Sequence, residues 1–168
     1  MTVPEKKHAA DQFDALFHAI EYEGKNIFVT GRAGTGKSTF LMALKKQTKK
    51  NYAVVAPTGV AALHVKGQTI HSFFKFRPRL MDLSQIKCMK DNKLYQKLEL
   101  LIIDEISMVR ADLFDAIERF LCLNGPVPGA PFGGVQLCVI GDLFQLPPVV
   151  VHAEREVYFQ RYRSPFFL

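Results

Sequence analysis

The sequence predicts an α/β fold in which a mainly parallel sheet lies between layers of helices. Helical patterns separate four short apolar runs that are typical of buried strands: 26–30, 52–56, 100–103 and 135–140. Strands that are apolar on both faces and alternate with helices are typical of a parallel sheet covered on both sides. A polar or glycine-rich cluster follows each run directly. Because such sheets bind ligands at the carboxyl ends of their strands, we expect the functional site there.

The length and composition indicate a single globular domain. The chain has 168 residues, of which 48% are hydrophobic and 23% charged, and its formal net charge is +6. A positive charge favours phosphate-bearing partners. No apolar run approaches the roughly 20 residues that span a bilayer, and Met1–Gln12 lacks the apolar core of a signal peptide. We therefore expect a cytoplasmic protein without membrane contact.

The cysteines predict neither a disulfide framework nor a zinc site. Cys88, Cys122 and Cys138 are widely spaced and form no C-x-x-C pair. We expect buried, reduced thiols, as is typical of a cytosolic protein.

The N-terminal region, 1–24, predicts one helix. Apolar side chains recur there at i, i+3, i+4 and i+7, which indicates an amphipathic helix from about Glu5 to Tyr22, ended by Gly24. The apolar stripe consists of Phe13, Leu16, Phe17 and Ile20.

The next elements form a strand–helix–strand unit. After the strand at 26–30, we predict a helix through Leu41 and Leu44. It continues to the lysine-rich stretch 45–50, which we expect to be a solvated helix end. The β-branched run 52–56 is the second strand.

The middle of the chain has weaker patterns. We predict a short helix at Val60–Val65 and an irregular segment at Gly67–Phe74. The stretch 76–98 is basic and polar and predicts a small insertion with one or two short helices.

The last third returns to clear periodicity. The strand at 100–103 precedes a helix, Arg110–Leu123, whose apolar face contains Leu113, Ile117, Phe120 and Leu121. A Pro/Gly-rich loop follows at 124–134. The strand at 135–140 then leads into a turn at 141–148.

A phosphate-binding loop follows the first strand. Gly31 to Ser38 fit the pattern G-x-x-x-x-G-K-[ST]. The glycines let backbone N–H groups converge on an anion, and the N-terminus of the next helix also attracts it. Lys37 supplies a positive charge for the β- and γ-phosphates, and the Ser38 hydroxyl is a ligand for Mg²⁺. The predicted nucleotide contacts are Gly31, Ala33, Gly34, Thr35, Gly36, Lys37, Ser38 and Thr39.

This loop narrows the predicted fold to a P-loop NTPase, a three-layer sandwich. The alternative is an ordinary glycine-rich loop beside a surface lysine, which the preceding strand and following helix disfavour. We expect this loop to bind the phosphates of a nucleotide together with Mg²⁺; the resemblance described below implies that the nucleotide is ATP.

Two adjacent carboxylates follow the third strand. Asp104 can hold Mg²⁺ opposite Ser38, and Glu105 can orient and deprotonate an attacking water. The alternative is a carboxylate pair in a solvent-facing turn. A small-molecule kinase must exclude water, so a base at Glu105 argues against that class.

Three further segments carry polar groups at the same predicted edge. Gln145 could bond a γ-phosphate or the attacking water, although a loop glutamine is more often an ordinary surface residue. The segments 57–62 and 67–74 offer hydroxyls, backbone N–H groups, an imidazole and aromatic rings, a mixture that suits single-stranded nucleic acid. Composition alone favours the alternative, in which Phe73, Phe74 and His71 belong to the interior.

Four ordered motifs together resemble a known family. GRAGTGKST, APTGVAALHVKGQTIHSFF, LLIIDEISMV and GDLFQLPPV resemble the PIF/RecD-type superfamily 1 DNA helicases, from about Asn26 to Val150. The resemblance implies that residues 1–168 are one RecA-like, ATP-binding motor domain, the first of two. It implies 5′ to 3′ movement on single-stranded DNA, duplex unwinding, and roles in DNA repair, recombination and telomere maintenance.

The resemblance also implies roles for individual residues. Lys37, Glu105 and Gln145 become catalytic groups, with Gln145 as the γ-phosphate sensor, while Ser38 and Asp104 hold the metal. The implied single-stranded DNA contacts are Pro57, Thr58, Gly59, Thr69, His71 and Phe73. Gln12 is the candidate for the family's adenine-reading glutamine.

The resemblance also has implications for the second motor domain of the family and for the activity of this chain alone. The family's second motor domain, a partner in cis that carries an arginine finger, has no counterpart in these residues, and Arg161 and Arg163 do not replace it. We therefore expect the chain alone to be a monomer that binds nucleotide, hydrolyses it slowly and does not unwind DNA. In a bacterium it would associate with the nucleoid.

Two other functions stay open at this point. One is a nucleic-acid-binding module that uses ATP only as a switch. The other is a P-loop kinase acting on a small molecule.

Overall fold

The computed structural model describes residues 4–167, with side chains from residue 12 onwards, and confirms the predicted α/β sandwich. In this part of the chain, five parallel strands form one sheet in the order β1-β5-β4-β2-β3. The strands are β1 (Ile27–Thr30), β2 (Tyr52–Ala56), β3 (Gln68–Thr69), β4 (Leu100–Ile103) and β5 (Gln136–Gly141). The helices are α1 (Pro4–Glu21), α2 (Lys37–Gln47), α3 (Gly59–His64), α4 (Ile70–Phe74), α5 (Lys93–Gln96), α6 (Ala111–Asn124) and α7 (Arg155–Arg161).

The central strand β4 shows why the fold has three layers. All four of its residues are fully buried. Successive side chains of a strand point to opposite faces, so Leu101 and Ile103 join the cluster under α4 and α6, whereas Leu100 and Ile102 join the cluster under α1 and α2. Both faces of the sheet are therefore covered, as the apolar pattern predicted.

Several predicted elements are confirmed in position. The α1 stripe of Phe13, Leu16, Phe17 and Ile20 packs on the sheet, and the four predicted apolar residues of α6 are buried. The stretch 76–98 contains a 3₁₀ turn, Leu83–Gln85, and α5. No helix of the described residues is long and apolar enough to cross a bilayer.

The predicted solvated helix end at 45–50 is wrong in two respects. The helix α2 ends at Gln47. Lys45 Nζ donates to the Val65 carbonyl at 2.5 Å, and Lys50 Nζ donates to Ile20 O and Gln136 Oε1, each at 2.6 Å. These ammonium groups satisfy carbonyls at the ends of neighbouring elements, which periodicity cannot reveal.

Three other expectations need correction. Gly67–Phe74 is regular, because β3 leads directly into α4, whose first turn is capped by the Thr69 hydroxyl accepting from Ser72 N at 3.1 Å. The strand β1 lies at the sheet edge, so Phe28 is 38% exposed. Of the cysteines, Cys138 is buried, and burial raises the pKa of its thiol to about 12, but Cys88 is exposed.

Candidate functional site

One edge of the sheet gathers the predicted functional segments. Because the strands are parallel, the segments that follow them meet at the carboxyl edge. In sheet order they are the glycine-rich loop after β1, the 142–148 turn after β5, Asp104-Glu105 after β4, Pro57–Gly59 after β2 and the start of α4 after β3. The residues predicted to bind phosphate therefore lie towards one end of the edge, and the residues predicted to contact DNA lie towards the other end.

The glycine-rich loop has a backbone that requires glycine. Gly34 and Gly36 have φ values of +79° and +93°, in the left-handed region. A Cβ at Gly31 would lie 2.6 Å from Thr35 Oγ1, which donates to the Arg32 carbonyl at 2.8 Å. The loop is therefore a fixed, tight turn that ends at the first residue of α2.

The first turn of α2 forms an anion-binding position. Gly36 caps the helix without a side chain, and no acidic residue occupies the first turn. The unpaired N–H groups of Ser38 and Thr39 and the helix dipole therefore favour negative charge. Lys37 Nζ lies over the loop, donating to Gly31 O at 2.5 Å and Arg32 O at 3.0 Å.

A cavity of about 490 Å³ extends from this loop towards α1. Gln12 and Phe13 form one wall and Gly36 and Lys37 the other. A volume of this size is ordinary for a small-molecule site. The structure thus places Gln12 beside the phosphate loop.

The two carboxylates after β4, Asp104 and Glu105, are half-buried, and the charge of Lys37 acts on both. Burial raises the pKa of Asp104, against the lowering effects of a hydrogen bond from the Glu105 backbone, of His64 and, last, of Lys37. Burial and then the Asp104 charge raise the pKa of Glu105, with a further contribution from Asp142, while Lys37 again opposes the shift. Lys37 is therefore within electrostatic range of Asp104 and Glu105.

Sequence reasoning missed two ionisable neighbours. Asp142 is only 5% exposed and accepts from Phe144 N at 3.0 Å, and His64 acts electrostatically on both carboxylates. Both residues lie in the motifs that were singled out. Asp142 directly follows the strand β5. This strand-end position was the feature of the sequence that could have indicated it as a site residue.

Glu105 has an unusual backbone. Its φ and ψ are 52° and 44°, the left-handed conformation, and it caps the 3₁₀ turn Ile106–Met108. The end of β5 closes tightly on this turn, because a Cβ at Gly141 would lie 2.8 Å from Ile106 Cγ2. The turn that begins at Glu105 is thus packed tightly against the end of β5.

The turn after β5 places Gln145 at the surface. Gln145 N donates to the Asp142 carbonyl at 3.0 Å, and the preceding Phe144 is 98% exposed. Farther along, Pro147 and Val149 line a cleft of about 310 Å³. The same turn therefore connects the carboxylate site to that cleft.

The cleft also contains predicted DNA contacts. Pro57, Thr58 and His71 line it. Thr58 Oγ1 accepts from Ala61 N at 3.2 Å and thereby caps α3. Burial and then the positive charge of Arg110 lower the pKa of His71, which favours a neutral imidazole near pH 7.

Phe73 is not placed for the predicted contact. Its side chain is 6% exposed, and its ring packs against Phe74 and Tyr95, with centroids 4.9 and 5.5 Å away. The interior alternative is correct for Phe73 and Phe74, so a contact of the Phe73 ring with a base is ruled out in this conformation. The ring instead supports the helix that carries His71.

The oxygen ligands at the site suit Mg²⁺. Among the described residues, no group of three or more His, Cys, Asp or Glu side chains forms a metal cluster. Nucleotide sites hold Mg²⁺ with one or two carboxylates, a hydroxyl and phosphates rather than a protein cage. Asp104 and Ser38 fit that pattern.

Fold and site together define a P-loop nucleotide-binding domain, with Lys37 and two half-buried carboxylates at the carboxyl edge of a parallel sheet. The chain belongs to the PIF1-like helicase family, whose model matches residues 5–164.

Curated relatives agree with this family. The chain is 40% identical over 159 residues to the ATP-dependent DNA helicase PIF1 of Emericella nidulans, which covers 86% of this chain and 21% of the relative. It is 36% identical over 154 residues to the human ATP-dependent DNA helicase PIF1, with 89% and 24% covered. The chain thus spans about a fifth to a quarter of these relatives.

Solved structures show the same fold. The Pif1 helicase from Bacteroides in complex with ADP-AlF3 and single-stranded DNA superposes with a TM-score of 0.84 at 42% identity. The match covers 93% of this chain and 37% of that one. The Pif1 helicase from Candida albicans gives a TM-score of 0.72 at 32% identity, covering 92% and 37%.

Proposed function

We propose that this chain is the ATP-binding and ATP-hydrolysing motor domain of a DNA helicase that moves on single-stranded DNA, 5′ to 3′, and unwinds duplexes. The observation that carries the proposal is the shared sheet edge, where the phosphate loop and the cleft of Thr58 and His71 are connected by the turn after β5. The relatives' names support this activity. Roles in repair, recombination and telomere maintenance belong to the same proposal.

In this proposal, the backbone N–H groups of the glycine-rich loop and α2 bind the phosphates of ATP. Lys37 leaves its carbonyl partners to contact the β- and γ-phosphates. Ser38 and Asp104 would hold Mg²⁺, which supplies charge neutralisation for phosphoryl transfer. Gln12, on the wall of the adjoining cavity, would read the base.

Glu105 is the proposed general base. A carboxylate with a raised pKa is a better proton acceptor, provided that it is ionised at working pH. Gln145, in the turn after β5, would bond the γ-phosphate or the attacking water. Pro147 and Val149, which follow Gln145 in the chain, line the same cleft as Thr58 and His71.

The single strand would cross the other end of the edge. Pro57, Thr58, Gly59, Thr69 and His71 are the proposed contacts. Hydroxyls and backbone N–H groups suit phosphate and sugar contacts, which position a strand without reading its sequence. His71 would act as a neutral donor rather than a cation.

The proposal also covers the domain organisation, the oligomeric state and the cellular location of the protein. Residues 1–168 form one motor unit, with 1–24 as its helix region and 76–98 as a small insertion. In the whole protein a second motor domain would act in cis and supply an arginine finger. We propose that the protein is monomeric and cytoplasmic, with nucleoid association in a bacterium.

The test compares DNA-stimulated ATP turnover of the parent with that of Glu105→Gln. Glutamine keeps the shape of glutamate and removes the base, so turnover should fall while nucleotide affinity persists. Equal turnover would mean that ATP acts only as a switch. Phosphate released without a phosphorylated acceptor would exclude a kinase.

A second test addresses the DNA surface. His71→Ala and Thr58→Ala should weaken single-strand binding while leaving ATP affinity unchanged. If ATP affinity fell instead, the segment would have a structural role only.

A further inference from the structure

A cavity separate from the nucleotide site lies beneath the segment 74–89. Its volume is about 410 Å³, within the range of roughly 300–1,000 Å³ that is typical of small-molecule sites. Half-buried apolar side chains, Phe76, Ile86 and Met89, form its accessible floor over the fully buried Phe74. No step of the proposed ATP chemistry uses it.

The rim of this cavity is cationic. Lys75, Arg77, Arg79 and Lys87 are exposed around it, against one carboxylate, Asp82. The Asp82 oxygens accept from Ser84 Oγ at 2.7 Å and Gln85 Nε2 at 2.9 Å, and this one negative charge is outnumbered by the four cations. The rim therefore presents a net positive field to solvent.

The rim is continuous with the cleft of Thr58 and His71. Arg79 and Met81 line both cavities. The backbone between the cavities is held in place, since Leu80 N donates to Glu154 Oε1 at 2.7 Å and Met81 N donates to the buried Asp112 at 2.9 Å. A strand leaving the cleft thus meets the second cavity across one fixed wall.

We propose that this cavity is a second subsite for single-stranded DNA. Apolar and aromatic surfaces accept a base, and cations at the rim accept the backbone phosphates, which is the combination that single-strand-binding proteins use. The base would lie against Phe76, Ile86 and Met89, and the phosphates near Arg77 and Lys87. The inference rests on the proposed function, and it gives part of the 76–98 insertion a role in strand binding.

The test measures salt dependence of binding. Arg77→Gln/Lys87→Gln is compared with Lys46→Gln/Lys49→Gln, a pair of lysines near the end of α2 that are also exposed, by anisotropy of a labelled oligodeoxythymidylate. Each phosphate contact on a single strand contributes about 0.7 to the slope of log K against log salt. The rim pair should lower the slope by about 1.4 and the affinity on the order of tenfold at 0.1 M salt. The control pair should leave the slope unchanged.

A second readout locates the base. Methyl NMR signals of Ile86 and Met89 should shift when the oligonucleotide is added to the parent chain. If the rim pair and the control pair behave alike, or if these methyl signals stay unmoved, the subsite is refuted.

The two proposals fail differently. If His71→Ala weakens binding while the rim pair matches the control pair, the DNA surface stands and the subsite falls. If the parent chain shows no single-strand binding, the proposed function and the subsite fall together.

Discussion

Arg110 provides the sharpest test of the packing around the cleft. Its guanidinium donates to Asp112 Oδ1 and Oδ2 at 2.8 and 2.7 Å and to Glu154 Oε2 at 2.7 Å, and it lies over the Tyr158 ring. The Asp112 side chain is fully buried. Arg110→Met keeps much of the side-chain volume but removes every one of these hydrogen bonds.

The expected loss follows from the burial of Asp112. Removing one partner of a buried ion pair costs about 3–5 kcal/mol, because the other charge stays uncompensated. Asp112 keeps the hydrogen bond from Met81 N, and Glu154 reaches water, so we expect a loss of about 3 kcal/mol in the free energy of unfolding. For a chain of this size the melting temperature should fall by about 6–12 °C.

Urea unfolding followed by circular dichroism measures this loss. Arg110→Met/Asp112→Asn is the matched control, because an amide removes the uncompensated charge, and it should recover more than half of the stability. A loss below about 1 kcal/mol for Arg110→Met, or no recovery in the double variant, would refute the reasoning.

The remaining predictions concern the phosphate loop, the base and one tight turn. Lys37→Ala removes a charged phosphate contact of about 1.5–3 kcal/mol, so the Kd of a fluorescent ADP analogue should rise roughly 10- to 150-fold; an unchanged Kd would place Lys37 outside the site. Glu105→Gln should lower ATP turnover by about 10²–10⁴. Because the pKa of Glu105 is raised above 4.5, the parent's rate should fall as pH drops through a midpoint above that value, while the dichroism signal stays folded. Gly133→Ala should destabilise more than Gly129→Ala: both glycines have positive φ, but only at Gly133 would a Cβ overlap the Leu121 carbonyl oxygen. Equal melting temperatures would contradict that contrast.

Sequence predicted the elements whose signals are local. The strand β4 is a continuous apolar run, and the phosphate loop is a contiguous motif, so neither needs knowledge of distant residues. The helix α6 has an apolar face with a period that matches its burial. These features were correct because short-range pattern and final environment agree.

The features that sequence did not predict depend on distant partners. A two-residue strand such as β3 is too short to show an apolar periodicity. It is a strand only because it pairs with β2. The sequence predicted that Lys45 and Lys50 are solvated. In the structure both side chains donate to backbone carbonyls of other elements, which the local sequence cannot indicate. Whether an aromatic ring such as Phe73 faces solvent or the interior is likewise decided by its neighbours, here Phe74 and Tyr95.

The site followed the same division. The resemblance and the strand-end positions indicated Lys37, Asp104 and Glu105. Asp142, whose charge helps to raise the pKa of Glu105, directly follows β5. It comes near Glu105 only because β5 pairs with β4 in the folded sheet.

The left-handed backbone of Glu105 places stability and activity in opposition. A non-glycine residue in that region costs on the order of 1–3 kcal/mol, whereas glycine adopts it freely. Glu105→Gly should therefore unfold at a higher urea concentration than Glu105→Ala, although both lack the base. The natural chain has a non-glycine residue there, and the difference in stability between these two variants measures what the left-handed backbone at position 105 costs a residue with a Cβ.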